Sequence, residues 1–216
     1  MRIAGKILVS VAKEVVAAAK DGTRLKDLDI LARDLIRKAG GEPAFLGYRP
    51  YGAKKAYPSS ICASINDVIV HGIPGQYKLK SSDILKLDFG VRYEGYYADA
   101  AWTVPIGKIS AEAVKLIETT RNALKLAVKQ CKTGKTLGDI GFAIQDYVKK
   151  HGFKVVQGLT GHGIGKELHE DPSVYNDGQK GKGLKLEPGM VLAIEPMVSV
   201  GSPQIVQLKD DSYATV

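Results

Sequence analysis

Two acids, Asp88 and Asp99, lie on one run of mostly β-forming residues and could supply a pair of metal-binding carboxylates. The stretch 84–104 predicts a β-hairpin, and folding it about Tyr93-Glu94 would place the two acids directly opposite each other. A buried carboxylate without a partner costs several kcal/mol, and a metal cation removes that cost. The hairpin is therefore a candidate for one part of a metal site.

Two residues further along the chain extend this donor set. His162 lies in Gly-His-Gly-Ile-Gly, and Glu195 follows an apolar run that begins at Met190. Asp88 and Glu195 each terminate a short, almost wholly apolar predicted strand, so their carboxylates should point into the protein interior. Taken singly, each acid could instead be an ordinary turn residue or strand end. Their shared placement favours a metal site.

The types of donor narrow the choice of metal. Three carboxylates and one imidazole suit divalent Mn, Fe, Co or Zn, whereas structural zinc prefers thiolates. The chain has only two cysteines, Cys62 and Cys131, in different predicted elements. This argues against a disulfide framework and for a reducing compartment.

Hydrophobic periodicity predicts the elements that carry these residues. Apolar residues recur every three or four positions in four stretches, which predicts four amphipathic helices. Glycines at positions 40 and 152 should end the second and the fourth helix. Short runs of β-formers lie between the two helix pairs. The helical stripes begin at Ile3, Leu25, Val114 and Leu137, and the predicted strands are 60–64, 68–70, 84–91 and 96–104.

The two halves of the sequence resemble each other. The run that begins Asp21-Gly-Thr aligns with the run that begins Thr133-Gly-Lys, and each is followed by a predicted helix. We therefore expect a single domain of two pseudo-repeats, about 1–107 and 108–216, related by a pseudo-two-fold axis with a cleft between them. The paired His-Gly-Ile turns and acid-bearing strands would converge on that cleft through His71, Asp88, His162 and Glu195.

Composition bounds the class of protein. The chain has 216 residues with 44% hydrophobic and 25% charged side chains, which is ordinary for a globular domain. Its formal net charge of +8 would attract polyanions such as a ribosome surface, but no motif for specific nucleic-acid recognition occurs. No run approaches the roughly 18 apolar residues of a membrane span. We expect a cytoplasmic protein without a membrane anchor.

The ordered motifs closely resemble those of the type I methionine aminopeptidases. They are His71-Gly-Ile-Pro, Asp88-Phe-Gly with Asp99, Gly161-His-Gly-Ile-Gly with His169-Glu-Asp-Pro, and Glu195-Pro-Met. The resemblance covers essentially the whole chain. It implies an α+β pita-bread fold, in which duplicated halves form a curved antiparallel sheet backed by helices. It also implies a monomer that removes methionine from the N-terminus of nascent proteins and peptides and contacts the ribosome transiently.

The same resemblance assigns roles to individual residues. Asp88 and Asp99 would bind metal, with Asp99 bridging two divalent ions, Co, Mn, Fe or Zn, that activate water. His162 and Glu195 would complete the shell of one ion. The two remaining site histidines would contact the substrate and help to stabilise the tetrahedral intermediate; they are His71 and His169.

The resemblance also suggests an apolar pocket for the methionine side chain. Its walls would be Phe45, Tyr48, Tyr57 and Cys62, with Leu168 and Tyr213 as further members. Ordinary core packing is the alternative for each of them. Tyr213 stands where the family more often has tryptophan.

The chain departs from the family pattern at its ends. The family usually starts slightly earlier and has one further strand with a second bridging glutamate, whereas the last glutamate here is Glu195. We therefore expect a chain truncated at both ends, with a weak second metal site and weakened activity. Two alternatives stay open: an Xaa-Pro aminopeptidase of the same fold, and a non-catalytic pita-bread module that binds ribosome or RNA.

Overall fold

The computed structural model describes residues 1–49 and 55–216. They form two compact units, of which the first comprises residues 1–110, 165–168 and 207–214 and the second comprises 111–164, 169–206 and 215–216. The described helices are α1 (Arg2–Ala18), α2 (Leu25–Lys38), α3 (Ala111–Gln130) and α4 (Leu137–Lys150), and the described strands are β1 (Glu42–Pro43), β2 (Ile61–Ile65), β3 (Val68–Val70), β4 (Ile84–Tyr93), β5 (Tyr96–Pro105), β6 (Lys154–Val155), β7 (Gly161–Gly163), β8 (Glu170–Val174), β9 (Leu192–Ala193), β10 (Val198–Ser199), β11 (Ile205–Gln207) and β12 (Tyr213–Thr215).

In the first unit, helices α1 and α2 cover one face of an antiparallel sheet. Strand β4 is central and pairs with β1, β2 and β5. Alternate residues of β4 are fully buried in the core that the helices complete, namely Leu85, Leu87, Phe89 and Val91. Burying one such side chain contributes about 1.5–3 kcal/mol, so this face holds the unit together. The opposite face of β4 is left to carry Asp88.

The second unit has its own core and its own antiparallel sheets. Helices α3 and α4 pack together through small and branched residues, including Ala123 and Ile144, which are fully buried. Strand β7 is the central strand of the order β8-β7-β9, and β6 pairs separately with β10. No described helix is long and apolar enough to cross a membrane.

Helices α2 and α4 have the same length and begin with the same type of main-chain contact. Each has 14 residues, and each first residue donates its N–H to a distant carbonyl: Leu25 to Tyr77 and Leu137 to Leu184. The caps differ. Thr136 forms a capping box with the third residue of α4, whereas α2 lacks a side-chain cap.

Asp83, just before β4, holds the chain that leads into the central strand. Its carboxylate is 5% exposed and accepts hydrogen bonds from Asn66 Nδ2, Tyr77 Oη and the Lys80 N–H at 2.9–3.2 Å. Burial alone would raise the pKa of Asp83, but the hydrogen bonds from Lys80, Asn66 and Tyr77 outweigh it, so the pKa is lowered. The ionised form therefore stabilises the folded state.

Replacing Asp83 with asparagine tests this contribution. We expect Asp83→Asn to lower the free energy of unfolding at pH 7 by about 1–3 kcal/mol, because the donors from Asn66, Tyr77 and Lys80 lose a charged acceptor. Because the folded pKa lies below the unfolded one, the stabilisation is present above pH ~4 and is lost as pH falls through the folded pKa. Urea unfolding at pH 7, 5 and 3 should show the difference from the parent shrinking with acidification.

The exposed ion pair of Asp146 with Lys150 provides the control. Asp146→Asn should change stability by less than about 0.5 kcal/mol, because exposed pairs contribute little. An effect of Asp83→Asn that is as small, or that grows towards pH 3, would contradict the account of Asp83.

Candidate functional site

The hairpin acids lie on one face of the first unit's sheet, but in a different register from the expected one. The turn is formed by Glu94 and Gly95, both with positive φ, and Tyr93 pairs with Tyr96. The prediction of a turn at Tyr93-Glu94 is therefore wrong by one residue. The physical reason is the left-handed backbone that a two-residue hairpin turn requires at both positions, which Gly95 adopts without strain.

This turn shifts the pairing by two residues. Asp88 is opposite Ala101, and Asp99 is opposite Gly90, so the expected direct opposition of the acids is wrong. A shift of two keeps both side chains on the same face, because side chains alternate with a period of two. Asp88 also lies within β4 rather than at its end, since the strand continues to Tyr93. Both acids are half-buried.

Cys62 of β2 lies beside this pair. Its Cα partner on β4 is Asp88, and its side chain is 5% exposed. Burial raises the pKa of the Cys62 thiol, and the charge of Asp88 raises it further. Tyr57, which precedes β2, donates its hydroxyl to the carbonyls of Gly72 at 2.9 Å and Ile61 at 3.2 Å. Two of the predicted pocket residues are thus fixed next to a predicted metal ligand.

Phe45 is a third predicted pocket residue, and a glycine makes its position possible. A Cβ atom on Gly90 would lie 2.5 Å from Phe45 Cε1, so only glycine lets the ring lie against this part of β4. Gly90 is the residue that faces Asp99. The Phe45 ring also meets Tyr57 edge to face, with centroids 6.5 Å apart.

His71 and Tyr213 meet at the end of the β3–β12 pair. Tyr213 pairs with Val70, and its ring lies edge to face with His71 at a centroid distance of 5.7 Å. The His71 ring keeps solvent access, yet the surrounding protein lowers its pKa by desolvation, and the charge of Asp99 offsets part of that shift. The imidazole is therefore neutral at pH 7.

Residues 165–168 belong to the first unit, although they follow the predicted ligand His162 in the sequence. The Gly165 carbonyl accepts the Tyr97 N–H of β5 at 2.9 Å, and Leu168 is 1% exposed. Burial raises the pKa of Tyr48, and the charge of Glu167 raises it further. Tyr48 and Leu168, both predicted pocket residues, are thus in the same unit as the hairpin acids.

In the second unit, His162 lies at the middle of β7. Its Nδ1 is 2.8 Å from the Gly163 carbonyl, which can only accept, so Nδ1 carries a proton and Nε2 is the ring nitrogen left to face Glu195. Nε2 is 3.2 Å from Glu195 Oε1. The His169 ring stands at 68° to the His162 ring with centroids 4.3 Å apart, and it is exposed. Three predicted site residues are brought together here.

The glycines of Gly161-His-Gly163 are required by the close approach of neighbouring main chain. A Cβ atom on Gly161 would lie 2.2 Å from the Ala193 carbonyl oxygen, and one on Gly163 would lie 2.1 Å from that of Asp171. Any side chain at either position would push β8 or β9 away from His162. Close main-chain packing therefore explains both glycines of this motif, independently of its resemblance to the family motif.

Glu195 does not end a strand, as the sequence pattern suggested, because β9 ends at Ala193. Its main-chain carbonyl instead accepts a hydrogen bond from Asn176 Nδ2 at 2.7 Å. Sequence reasoning did not identify Asn176, since a lone asparagine after a short strand is usually an ordinary turn residue.

Comparison with known proteins identifies the family to which the chain belongs. The profile of metallopeptidase family M24 matches residues 1–215. The chain is 43% identical to methionine aminopeptidase 1 of Bacillus subtilis over 98% of this chain and 83% of that protein. It is 46% identical to methionine aminopeptidase of Clostridium acetobutylicum over 98% of this chain and 82% of that protein.

A solved structure extends the comparison to the fold. The crystal structure of methionine aminopeptidase from Thermotoga maritima superposes with a TM-score of 0.94 at 38% identity, covering 100% of this chain and 85% of that one. The chain therefore belongs to metallopeptidase family M24. Its fold is the α+β pita-bread fold, and the expected resemblance to methionine aminopeptidases is confirmed.

Family membership implies a divalent metal, and the chemistry around His162 fits one. When the ring carries a single proton, on Nδ1, it offers a lone pair at Nε2, and the facing Glu195 oxygen is also an acceptor. Two acceptors at this distance repel unless a proton or a cation is shared between them. A hydrogen bond from the second ring nitrogen to a main-chain carbonyl is the usual support of a metal-binding histidine.

The two thiols should differ in reactivity. We expect N-ethylmaleimide at pH 8 to modify exposed Cys131 at least ~10-fold faster than Cys62, because Cys62 is buried and its thiol pKa lies well above the usual value. Peptide mass spectrometry over time measures both rates. Unfolding in urea should make the two rates equal, and equal rates in the folded protein would contradict the burial of Cys62.

Proposed function

We propose that this protein hydrolyses the first peptide bond of nascent proteins and peptides that begin with methionine. The two curated relatives carry that activity in their names, and the chain covers more than four-fifths of each. The contact of His162 Nε2 with Glu195 Oε1 is the observation that carries the proposal, because it needs a cation or a proton. An Xaa-Pro activity and a purely binding role are not favoured by relatives of these names.

We propose Asp88, Asp99, His162 and Glu195 as the metal ligands. Asp99, His162 and Glu195 would each give one ligand atom to a shared divalent ion, with Asp99 bridging to a second ion that Asp88 also binds. Such ions, Co, Mn, Fe or Zn, activate water and polarise the peptide carbonyl when bound. The chain's own part is to hold the carboxylates on one sheet face and to direct Nε2 of His162.

His71 and His169 would contact the peptide. The lowered pKa of His71 leaves a neutral ring that can donate one hydrogen bond to a substrate carbonyl without the cost of a buried charge. The His169 ring is exposed beside His162, which supports a role in binding substrate next to the metal ligands. Both groups would stabilise the developing negative charge on that carbonyl oxygen.

The first residue of the substrate would be recognised by an apolar pocket on the first unit. Cys62 and Tyr57 are fixed beside Asp88, and Phe45 lies over Gly90. Unbranched methionine suits such aromatic walls, because its thioether makes favourable contacts with ring edges. The further proposed walls are Tyr48, Leu168 and Tyr213.

The setting of the reaction is proposed on charge and thiol chemistry. Both cysteines are free, which supports a reducing cytoplasmic compartment. The net charge of +8 supports transient contact of a monomer with the polyanionic ribosome. The weak second metal site expected from the sequence stays a prediction.

Removing the proposed bridging carboxylate tests the metal assignment. We expect Asp99→Asn to lower bound Mn per chain and to slow release of methionine from Met-Ala-Ser by at least about 100-fold, since metal charge supplies several kcal/mol of the barrier reduction. Elemental analysis and chromatography of free methionine measure the two effects. Asp146→Asn, which changes an exposed acid on α4, should leave both unaltered. If Asp99→Asn changed neither, the metal assignment would be wrong.

A choice of peptides separates the enzymatic alternatives. With Mn added, we expect the parent to release methionine from Met-Ala-Ser and to leave Ala-Pro-Ser intact, because the proposed pocket is shaped for an unbranched apolar side chain. Cleavage of Ala-Pro-Ser in preference would support an Xaa-Pro enzyme. Absence of any release, with metal bound, would support a binding module.

A further inference from the structure

Glu195 lies just beyond one end of the β8-β7-β9 sheet. Gly161, the first residue of β7, pairs with Val174 of β8, and His162 pairs with Ala193 of β9. Both outer strands are antiparallel to β7, so their continuations run past its beginning on either side. Asn176 follows β8 and Glu195 follows β9, beyond the last residue that the central strand pairs.

Beyond the start of β7, the Asn176 side chain links the two outer segments of the sheet. Nδ2 of Asn176 donates to the main-chain carbonyl of Glu195 at 2.7 Å, which ties the continuation of β8 to that of β9. The carbonyl can only accept, so the orientation of the amide follows from chemistry. Strand β9 ends at Ala193, which pairs with His162, and Glu195 lies two residues beyond that end.

Burying the Asn176 amide has a cost in folding free energy. It is 2% exposed, and its Oδ1 has no hydrogen-bond partner among the described protein atoms. A buried acceptor without a partner costs about 1–3 kcal/mol, which offsets what the hydrogen bond from Nδ2 contributes to stability. Among the described residues, the hydrogen bond of this amide goes to Glu195, so the role of the amide is best sought in that contact.

Helix α4 supplies a rigid base for this amide. A Cβ atom on Gly141 would lie 2.1 Å from the Asp177 carbonyl oxygen and 2.8 Å from that of Tyr175. The helix thus touches the main chain on both sides of Asn176 and restricts where its side chain can reach. Sites held by packed elements keep their geometry better than sites held by loops alone.

We propose that Asn176 is a positioning residue for the metal ligand Glu195. It fixes the Glu195 main chain, so that the carboxylate stays 3.2 Å from His162 Nε2. Because Glu195 is already ordered, metal binding loses less conformational entropy. The inference rests on the proposed metal-binding role of Glu195. It assigns a function to a residue that touches neither metal nor substrate.

The test uses the full chain and Mn(II) as the probe. Asn176→Ala removes the amide, and Asn176→Asp keeps its volume but replaces the donor with an acceptor. We expect both variants to bind Mn(II) at least ~10-fold more weakly by calorimetric titration, the usual cost of losing such a support. In the metal-free protein, hydrogen exchange of the peptide 190–197 should become faster in both variants.

Ser199→Ala is the matched control, because Ser199 is buried in the same unit and donates its hydroxyl to another main-chain carbonyl, that of Ser202. This variant should lower the melting temperature without changing the affinity for Mn(II). If Asn176→Ala does not fold, the isosteric Asn176→Asp decides. Affinity within about two-fold of the parent for Asn176→Asp, or an equal loss in Ser199→Ala, would overturn the proposal.

Mn(II) uptake by the parent protein tests the proposed function, and the Asn176 variants test the positioning role. A parent protein that takes up no Mn(II) would refute the proposed function. In that case, unchanged exchange of 190–197 in the Asn176 variants would separately refute the positioning role, and faster exchange confined to that peptide would support it. A parent that binds Mn(II) with variants that bind equally well would refute only the role of Asn176.

Discussion

The proposed site depends on one contact in the second unit, between Nε2 of His162 and a carboxylate oxygen of Glu195. Both atoms can act as hydrogen-bond acceptors. Without a shared proton or cation these two groups would repel each other, so contacts within the unit must hold them at this distance. The Gly163 carbonyl does so for the ring by accepting its Nδ1 proton. Gly161 and Gly163 hold strand β7 in place, because they allow the main chains of β8 and β9 to approach closely. A divalent cation converts this repulsion into attraction, which is why family M24 and this geometry are consistent with each other.

In the first unit, the acidic residues and the hydrophobic core lie on opposite faces of one sheet. Asp88 and Asp99 lie on adjacent strands of one sheet, whose other face is a closed hydrophobic core against two helices. The core supplies the stability, and the opposite face is free to carry charge and the residues proposed as pocket walls. Gly90 illustrates the separation, because its missing side chain contributes nothing to the core yet admits the Phe45 ring.

Much of this was accessible from the sequence, for identifiable reasons. The helices follow from apolar spacing, and the starts of α2 and α4 follow from glycine turns that the alignment of the halves already paired. The hairpin register was missed because Glu94 accepts a left-handed backbone, which few non-glycine residues do. Asn176 was missed because a tertiary hydrogen bond to a carbonyl leaves no periodic trace. The assignment of site residues and the boundaries of the pseudo-repeats remain predictions.

The corrected register has an evolutionary consequence. Because neighbouring strands repeat their facing every second residue, a hairpin can gain or lose pairs of residues at its tip and keep its acids on the same side. A slip of the pairing by a single residue would send Asp99 towards the helices instead, where an anion cannot be solvated. The register of this hairpin among descendants should therefore shift in even steps, and an odd change in length should be absorbed by a longer loop or by a bulge between the tip and Asp99.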